Sequence, residues 1–106
     1  MKLLTEEIKA TLPALYSQEN VSDPIVRVKY FTPWGNWTWY ALEGQPEATD
    51  EDENDFLFFG WVDGPHPELG YFCLSQLQSV RGPAGLRVER DLYFDPMPLS
   101  EVKKRH

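Results

Sequence analysis

The residues that could bind a cation lie between two apolar segments. Asp50, Asp52 and Asn54 stand at alternate positions, which matches the first three ligand positions of a calcium-binding EF-hand loop. The match ends there, because Asp55 stands where that loop needs glycine and Trp61 where it needs a bidentate glutamate. We therefore predict no metal site in this segment.

Nucleophilic catalysis would need the one cysteine and a histidine. His66 lies between two prolines, Cys73 is the only cysteine, and the second histidine is the terminal His106. A catalytic pair requires a base that a third group orients, and no such group can be identified. One cysteine and two histidines also cannot fill a four-ligand zinc site. We predict no catalytic residue, no metal and no cofactor.

A charge cluster lies nearer the C-terminus and consists of Arg81, Glu89, Arg90 and Asp91. Paired carboxylates can perform acid–base catalysis. A small hydrolase is accordingly our third hypothesis, and it requires a cleft in which Glu89 or Asp91 lies beside Arg81 or Arg87. We favour the alternative that the cluster is an ion-pair network holding a terminal segment.

The acidic residues are concentrated in one segment. The chain has 17 Asp and Glu against 10 Lys and Arg, and seven of the acids lie within residues 43–55 without a base among them. Because like charges repel, we predict a solvated acidic loop at 44–55. Its acids are Glu47, Asp50, Glu51, Asp52, Glu53 and Asp55. The loop could imitate phosphates towards a DNA-binding partner, or simply connect two strands.

Apolar spacing predicts the elements that position these residues. Thr5 suits a helix N-cap, and an apolar stripe at helical spacing follows it. Strands are predicted at residues 25–31, 37–43, 56–62 and 69–74. Ser75-x-x-Gln78 has the form of a capping box, and Ser100 could cap a short helix in the C-terminal segment 95–106. Residues 88–94 are ambiguous between a strand and a helical turn.

These elements predict a single domain, residues 1–106, of the α+β class. We expect an antiparallel four-stranded meander sheet with short helices packed on one face. Hydrophobic residues make up 42% of the chain, which suffices for one core at this length. No window approaches 18 apolar residues, so no membrane span is expected, and a lone cysteine suits the reducing cytoplasm.

Side-chain alternation sorts the strands into two faces if Phe31 lies opposite Trp37 and Glu43 opposite Phe56. The expected core face carries Val26, Val28, Tyr30, Tyr40, Leu42, Leu57, Phe59 and Trp61. The opposite face carries the aromatic–basic set, which consists of Arg27, Lys29, Phe31, Trp37, Trp39, Phe58 and Tyr71. Residues 80–106 could cover this set, it could contact a protein partner, or it could stack single-stranded nucleic acid.

Five segments resemble, in order, a bacterial family known as domain of unknown function number 2958. They are LYSQENVSDPIVRVKYFTPWGNWTWYALEG, DFLFFGWV, ELGYFCLSQLQSVRG, GLRVERDLYF and PLSEV. The resemblance covers nearly the whole chain. It implies a small single-domain protein of plasmids, integrative elements and phages, encoded near DNA-processing and anti-restriction genes. It implies no catalytic residue or ligand.

Our leading hypothesis is a non-enzymatic binding protein of bacterial mobile elements that acts through a protein partner. A counter-defence role would follow from the acidic loop and the implied genetic setting. The alternative is a single-stranded nucleic-acid binder that uses the aromatic–basic set. Neither the partner nor the oligomeric state follows from the sequence.

Overall fold

The structure is a computed structural model that describes residues 1–50 and 52–105. A five-stranded antiparallel sheet forms the centre of this part of the chain. In spatial order its strands are β5 (Glu68–Cys73), β4 (Phe56–Asp63), β3 (Thr38–Pro46), β2 (Val28–Phe31) and β6 (Glu89–Arg90). A two-stranded sheet pairs β1 (Ile25–Val26) with β7 (Met97–Pro98). The helices are α1 (Glu6–Thr11), α2 (Leu74–Ser79) and α3 (Leu99–Arg105). The predictions for Glu51 and His106 lie outside the described residues.

The predicted antiparallel α+β class is confirmed, and strands β2 to β5 form the predicted meander. Two details differ. The ambiguous segment 88–94 contributes a fifth strand, β6, beside β2. The predicted first strand is interrupted at Arg27, whose backbone N–H donates to Ala41 O at 2.9 Å between β1 and β2. Within residues 1–50 and 52–105, no helix has the length and apolar character that a membrane crossing requires.

The predicted register between β2 and β3 is wrong by one residue. Thr32 N donates to Trp37 O at 3.0 Å, so the hairpin closes on Thr32 and Trp37, and Phe31 lies opposite Thr38. The predicted pairing of Glu43 with Phe56 is also wrong, because Glu43 lies opposite Phe59 and Phe56 opposite Pro46. The register of β3 against β4 shifts at a bulge between Ala41 and Glu43. Because side chains alternate along a strand, each single-residue shift moves them to the other face.

The consequence is two cores, one on each face of the sheet. The first contains Leu4, Val28, Tyr30, Ala41, Phe56, Phe58, Phe72, Leu77 and Val88. The second contains Val26, Tyr40, Leu42, Leu99 and Val102. The predicted core face is therefore divided between them. The helices also do not share one face, since α2 contributes Leu77 to the first core and α3 contributes Leu99 to the second.

Hydrogen bonds at the helix starts test the predicted caps. Thr5 Oγ1 accepts from Ile8 N at 3.2 Å, which confirms the N-cap of α1. The capping box at Ser75 is wrong, because α2 begins at Leu74 and Gln76 Oε1 accepts from Cys73 N at 2.9 Å. The C-terminal helix is present, but it begins one residue before Ser100. The Ser100 hydroxyl and amide both donate to Asp23, at 2.6 and 3.0 Å.

Candidate functional site

The structure divides the aromatic–basic set between the two sheet faces. Trp39 lies opposite Tyr30 and, with the fully buried Phe58, belongs to the first core. Lys29 lies opposite Tyr40 on the other face. By alternation the two remaining strand residues, Phe31 and Tyr71, share that face with Lys29. The expected continuous aromatic–basic surface is therefore not formed.

Trp37 lies at the end of the β2–β3 hairpin and is 44% exposed. Its ring stacks on Trp39 with centroids 5.9 Å apart and planes inclined by 18°. The same ring covers Gly64, where a Cβ atom would overlap it, and Trp34 covers Gly82 in the same way. The tryptophans of this hairpin thus pack on glycines of two distant turns, which ties the hairpin tip to the rest of the fold.

The acidic loop is shorter than predicted and partly ordered by its own hydrogen bonds. Strand β3 continues to Pro46, and Glu47 N donates to Asp55 O at 3.0 Å. Asp52 Oδ1 accepts from Asn54 N at 2.9 Å. Glu47, Asp50 and Glu53 are exposed. The residues that the structure describes contain no group of three or more His, Cys, Asp or Glu side chains that could hold a metal ion.

Asp55 differs from the other acids of the loop because it is only 8% exposed. Its Oδ2 accepts from Ser75 Oγ at 2.7 Å and its Oδ1 from Ser75 N at 3.0 Å and Phe56 N at 2.8 Å. Burial by itself raises the pKa of this carboxyl. The hydrogen bonds from Ser75, Phe56 and Cys73 outweigh burial and hold the pKa below its ordinary value. Asp55 therefore fastens the end of the loop to α2.

The charge cluster does not form one network. Asp91 Oδ2 lies 3.6 Å from Lys29 Nζ, while Arg81 Nη1 donates to the backbone oxygens of Gln78 and Val80. Arg90 lies in β6 opposite Tyr30. Of the ion pairs found in residues 1–50 and 52–105, none includes an arginine.

One apolar groove of the structure was not predicted from the sequence. A groove of about 500 Å3 lies on the second-core face, between the sheet, residues 16–24 and α3. We call it the Tyr16–Tyr71 groove; its apolar lining includes Tyr16, Val21, Leu42, Phe59, Leu69 and Tyr71. The Tyr71 ring lies 4.9 Å from that of Phe59 and 6.5 Å from that of Tyr16, measured between centroids.

Exposed apolar side chains are concentrated around this groove. The described residues include nine large hydrophobic side chains that are exposed, and four of the nine line the groove. These four are Tyr16 at 59%, Val21 at 44%, Leu69 at 48% and Tyr71 at 52%. A side-chain hydrogen bond with Tyr16 raises the pKa of Tyr71, which indicates that the two phenols contact each other at the mouth of the groove. An exposed apolar concentration of this kind is typical of a contact site.

A buried carboxylate shapes the wall of the groove. Glu43 is only 4% exposed, and its two oxygens accept from Tyr16 N and Gln18 N, each at 2.8 Å. Tyr16 adopts a φ of 70°, in the left-handed region that non-glycine residues rarely occupy. Such strained backbone is frequent at ligand-binding positions. The sequence offered one signal for this wall, the apolar pair Leu15-Tyr16 shortly after Pro13, of which Leu15 is buried and Tyr16 exposed.

Strand β5 forms the edge of the sheet beside the groove, because β4 is its only strand partner among the described residues. In an antiparallel pair, alternate residues direct their N–H and C=O groups towards the neighbouring strand and the others away from it. Among the described residues, no backbone hydrogen bond is found for β5 beyond its pairing with β4. The outer edge of the strand that carries Leu69 and Tyr71 is therefore not paired with another strand.

The fold and this surface define a small antiparallel α+β domain with an apolar groove beside an open sheet edge. The chain belongs to the family described as "Protein of unknown function (DUF2958)", whose model matches residues 3–104. The resemblance seen in the sequence is thereby confirmed over nearly the whole chain. No curated protein matches the chain. No solved structure matches it either.

Proposed function

We propose that this chain is a non-enzymatic binding protein that acts through a protein partner. The Tyr16–Tyr71 groove is its binding site, and the occupant is an extended segment of that partner. The observation that carries the proposal is the concentration of four exposed apolar side chains around one groove of about 500 Å3. Burying such side chains against a partner is the main favourable contribution to association.

The open edge of β5 supports an extended occupant. A peptide that pairs with an edge strand gains main-chain hydrogen bonds, and its alternate side chains can enter pockets beside the strand. Leu69 and Tyr71 are two residues apart, so they lie on the same face of β5, towards the groove. The partner segment would thus become a sixth strand of the sheet and place apolar side chains against these two residues.

The proposed setting is a bacterial mobile element, with a role in counter-defence and a cytoplasmic location. The family resemblance suggests this setting, and the lone Cys73 suits a reducing compartment. The exposed acids Glu47, Asp50 and Glu53 support the idea that the acidic loop meets a basic, DNA-binding surface. Neutralising Asp50, Glu51, Asp52 and Glu53 should then reduce recovery of the partner in a pull-down. Equal recovery of every partner by the wild type and by the neutralised variant would contradict the proposal that the acidic loop imitates phosphates.

Site-specific photo-crosslinking in bacterial cells tests the groove. A photoreactive phenylalanine analogue at Leu69 should capture one defined protein, and the same analogue at Tyr93, which is 93% exposed outside the groove, should not. The substitution Tyr71→Lys should abolish capture at position 69. Equal capture at positions 69 and 93, or capture that Tyr71→Lys leaves unchanged, would contradict the proposal.

Strand addition is tested with peptides from the captured protein. N-methylation of alternate backbone amides removes hydrogen-bond donors from one edge of a peptide and leaves its side chains unchanged. One of the two alternating methylation patterns should weaken binding by about tenfold or more, and the other should have little effect. If neither pattern weakens binding, the segment does not pair with β5.

A further inference from the structure

Two arginines of the chain converge on one cavity outside the groove. Arg27 lies between β1 and β2, and Arg90 lies in the edge strand β6. Both line a cavity of about 260 Å3, which we call the Arg27–Arg90 cavity. Thr5 and Leu92 also line it, and Leu92 is 61% exposed, so the cavity reaches the surface.

Neither guanidinium group of these two lining residues forms a hydrogen bond or an ion pair with a described residue. Arg27 Nε and Arg90 Nη1 are shielded from water, and within the described part of the chain neither has a hydrogen-bond partner. No described carboxylate forms an ion pair with either arginine, although the chain has 17 acids. Buried polar groups are normally hydrogen-bonded, so an unpartnered charged donor marks a place where an acceptor is missing.

Asp91, the acidic residue that lines the same cavity, already has a hydrogen-bond donor and a cationic partner. Asp91 Oδ1 accepts from Tyr93 N at 2.9 Å, and Asp91 Oδ2 lies 3.6 Å from Lys29 Nζ. The charges of Asp91 and Lys29 balance each other. The two guanidinium groups therefore leave two positive charges without a carboxylate partner among the described residues.

We propose that the Arg27–Arg90 cavity binds a phosphate group. The planar guanidinium fork matches the oxygens of a phosphate, and two arginines together match the charge of a dianion. The Thr5 hydroxyl accepts from Ile8 N and keeps its own hydrogen free to donate to a phosphate oxygen. The phosphate can come from inorganic phosphate or from a small phosphate monoester.

Titration of the full chain with inorganic phosphate, followed by backbone amide NMR and calorimetry in a phosphate-free buffer, tests this site. Saturable shifts are expected at residues 27 and 90–92. Arg27→Gln and Arg90→Gln should each weaken binding by about tenfold or more, and the exposed Arg87→Gln should change it by less than about twofold. Arg90→Lys, which keeps the charge but loses the fork, should show intermediate affinity.

Several outcomes would overturn the site. They are absence of saturation, equal losses in Arg87→Gln and Arg27→Gln, and acetate binding as tightly as phosphate. Titration with glycerol phosphate distinguishes the sources, since tighter binding than inorganic phosphate identifies a monoester as the ligand. Because a bound ligand stabilises the folded state, phosphate should raise the melting temperature of the wild type and not of Arg27→Gln. Tyr71→Lys should bind phosphate normally, so this site and the groove succeed or fail separately.

Discussion

Tyr16 N donates to Glu43 Oε1 at 2.8 Å, across 27 residues of sequence. The contact depends on the bulge in β3, because the register shift after Ala41 places Glu43 opposite Phe59, on the face of the groove. Without the bulge, alternation would direct this carboxylate to the other face of the sheet. One irregularity of a strand therefore holds the loop that forms one wall of the Tyr16–Tyr71 groove.

Removing this carboxylate should loosen the loop and destabilise the fold. In Glu43→Ala, the backbone N–H groups of Tyr16 and Gln18 lose a charged acceptor, and we expect a loss of about 2–3 kcal/mol in the free energy of unfolding. Urea denaturation measures that loss, and amide hydrogen exchange should show faster exchange at residues 16–18. The exposed Glu47→Ala is the control and should stay within about 0.5 kcal/mol of wild type. Unchanged exchange at 16–18 in Glu43→Ala would show that Glu43 does not hold the loop.

Gly60 and Gly70 lie opposite each other in β4 and β5, and they should respond differently to alanine. A Cβ atom at Gly60 would overlap the backbone oxygen of Tyr40, whereas one at Gly70 would meet nothing within 4 Å. Gly60→Ala should therefore destabilise the chain by about 3 kcal/mol or more, because backbone cannot move aside cheaply. Gly70→Ala should be neutral or stabilising by up to about 1 kcal/mol. Urea denaturation measures the free energy of unfolding of both variants. Similar values for Gly60→Ala and Gly70→Ala would contradict the observed register of β3, β4 and β5.

Asp55 should contribute more to stability than any exposed acid of its loop. Asp55→Ala leaves the Ser75 hydroxyl and two backbone N–H groups without their acceptor, so we expect a loss of about 2–3 kcal/mol. Asp50→Ala, a change of the same chemistry at an exposed position, should cost less than about 0.5 kcal/mol. Thermal and urea denaturation of the two variants provide the comparison. A solvated connector without specific anchoring would make both variants equally stable.

The contribution of Asp55 to the free energy of unfolding should disappear at acidic pH. Its folded-state pKa lies below 3.8, the ordinary value, so folding favours the ionised form. The stabilisation is therefore fully present above the unfolded-state pKa and is lost as the pH falls through the lower folded-state pKa. The stability difference between wild type and Asp55→Asn should be constant from about pH 7 to pH 5 and shrink below about pH 4. A stability difference between wild type and Asp55→Asn that grows as the pH falls would contradict this prediction.

Local patterns predicted those parts of the fold that local interactions decide. The cap at Thr5, the four meander strands and the short C-terminal helix depend on residues adjacent in sequence. The predicted start of α2 is two residues too late, because the N-cap is Cys73 and not Ser75, and Gln76, not Gln78, accepts from the N-cap amide. Two glutamines follow the end of β5 closely in sequence, and sequence spacing alone does not distinguish them.

The candidate site was less predictable, because it depends on register and on long-range contacts. Trp39 and Lys29 belong to opposite faces only because the hairpin closes on Thr32 and Trp37. Tyr16 and Tyr71 lie far apart in sequence, so no periodicity could bring them together. Arg27 and Arg90 share a cavity because β6 pairs with β2, a pairing that the ambiguous segment 88–94 did not reveal.

The sequence by itself determined the α+β class, the antiparallel meander, the concentration of acids between β3 and β4 and the family. These features follow from alternation, turn residues and charge repulsion, all of which act over a few residues. Only the tertiary structure decided which side chains meet. The register shifts by one residue at the hairpin and again at the bulge, and each shift exchanges the two faces of a strand. Neither shift can be recognised from the composition or from the hydrophobic pattern of the sequence.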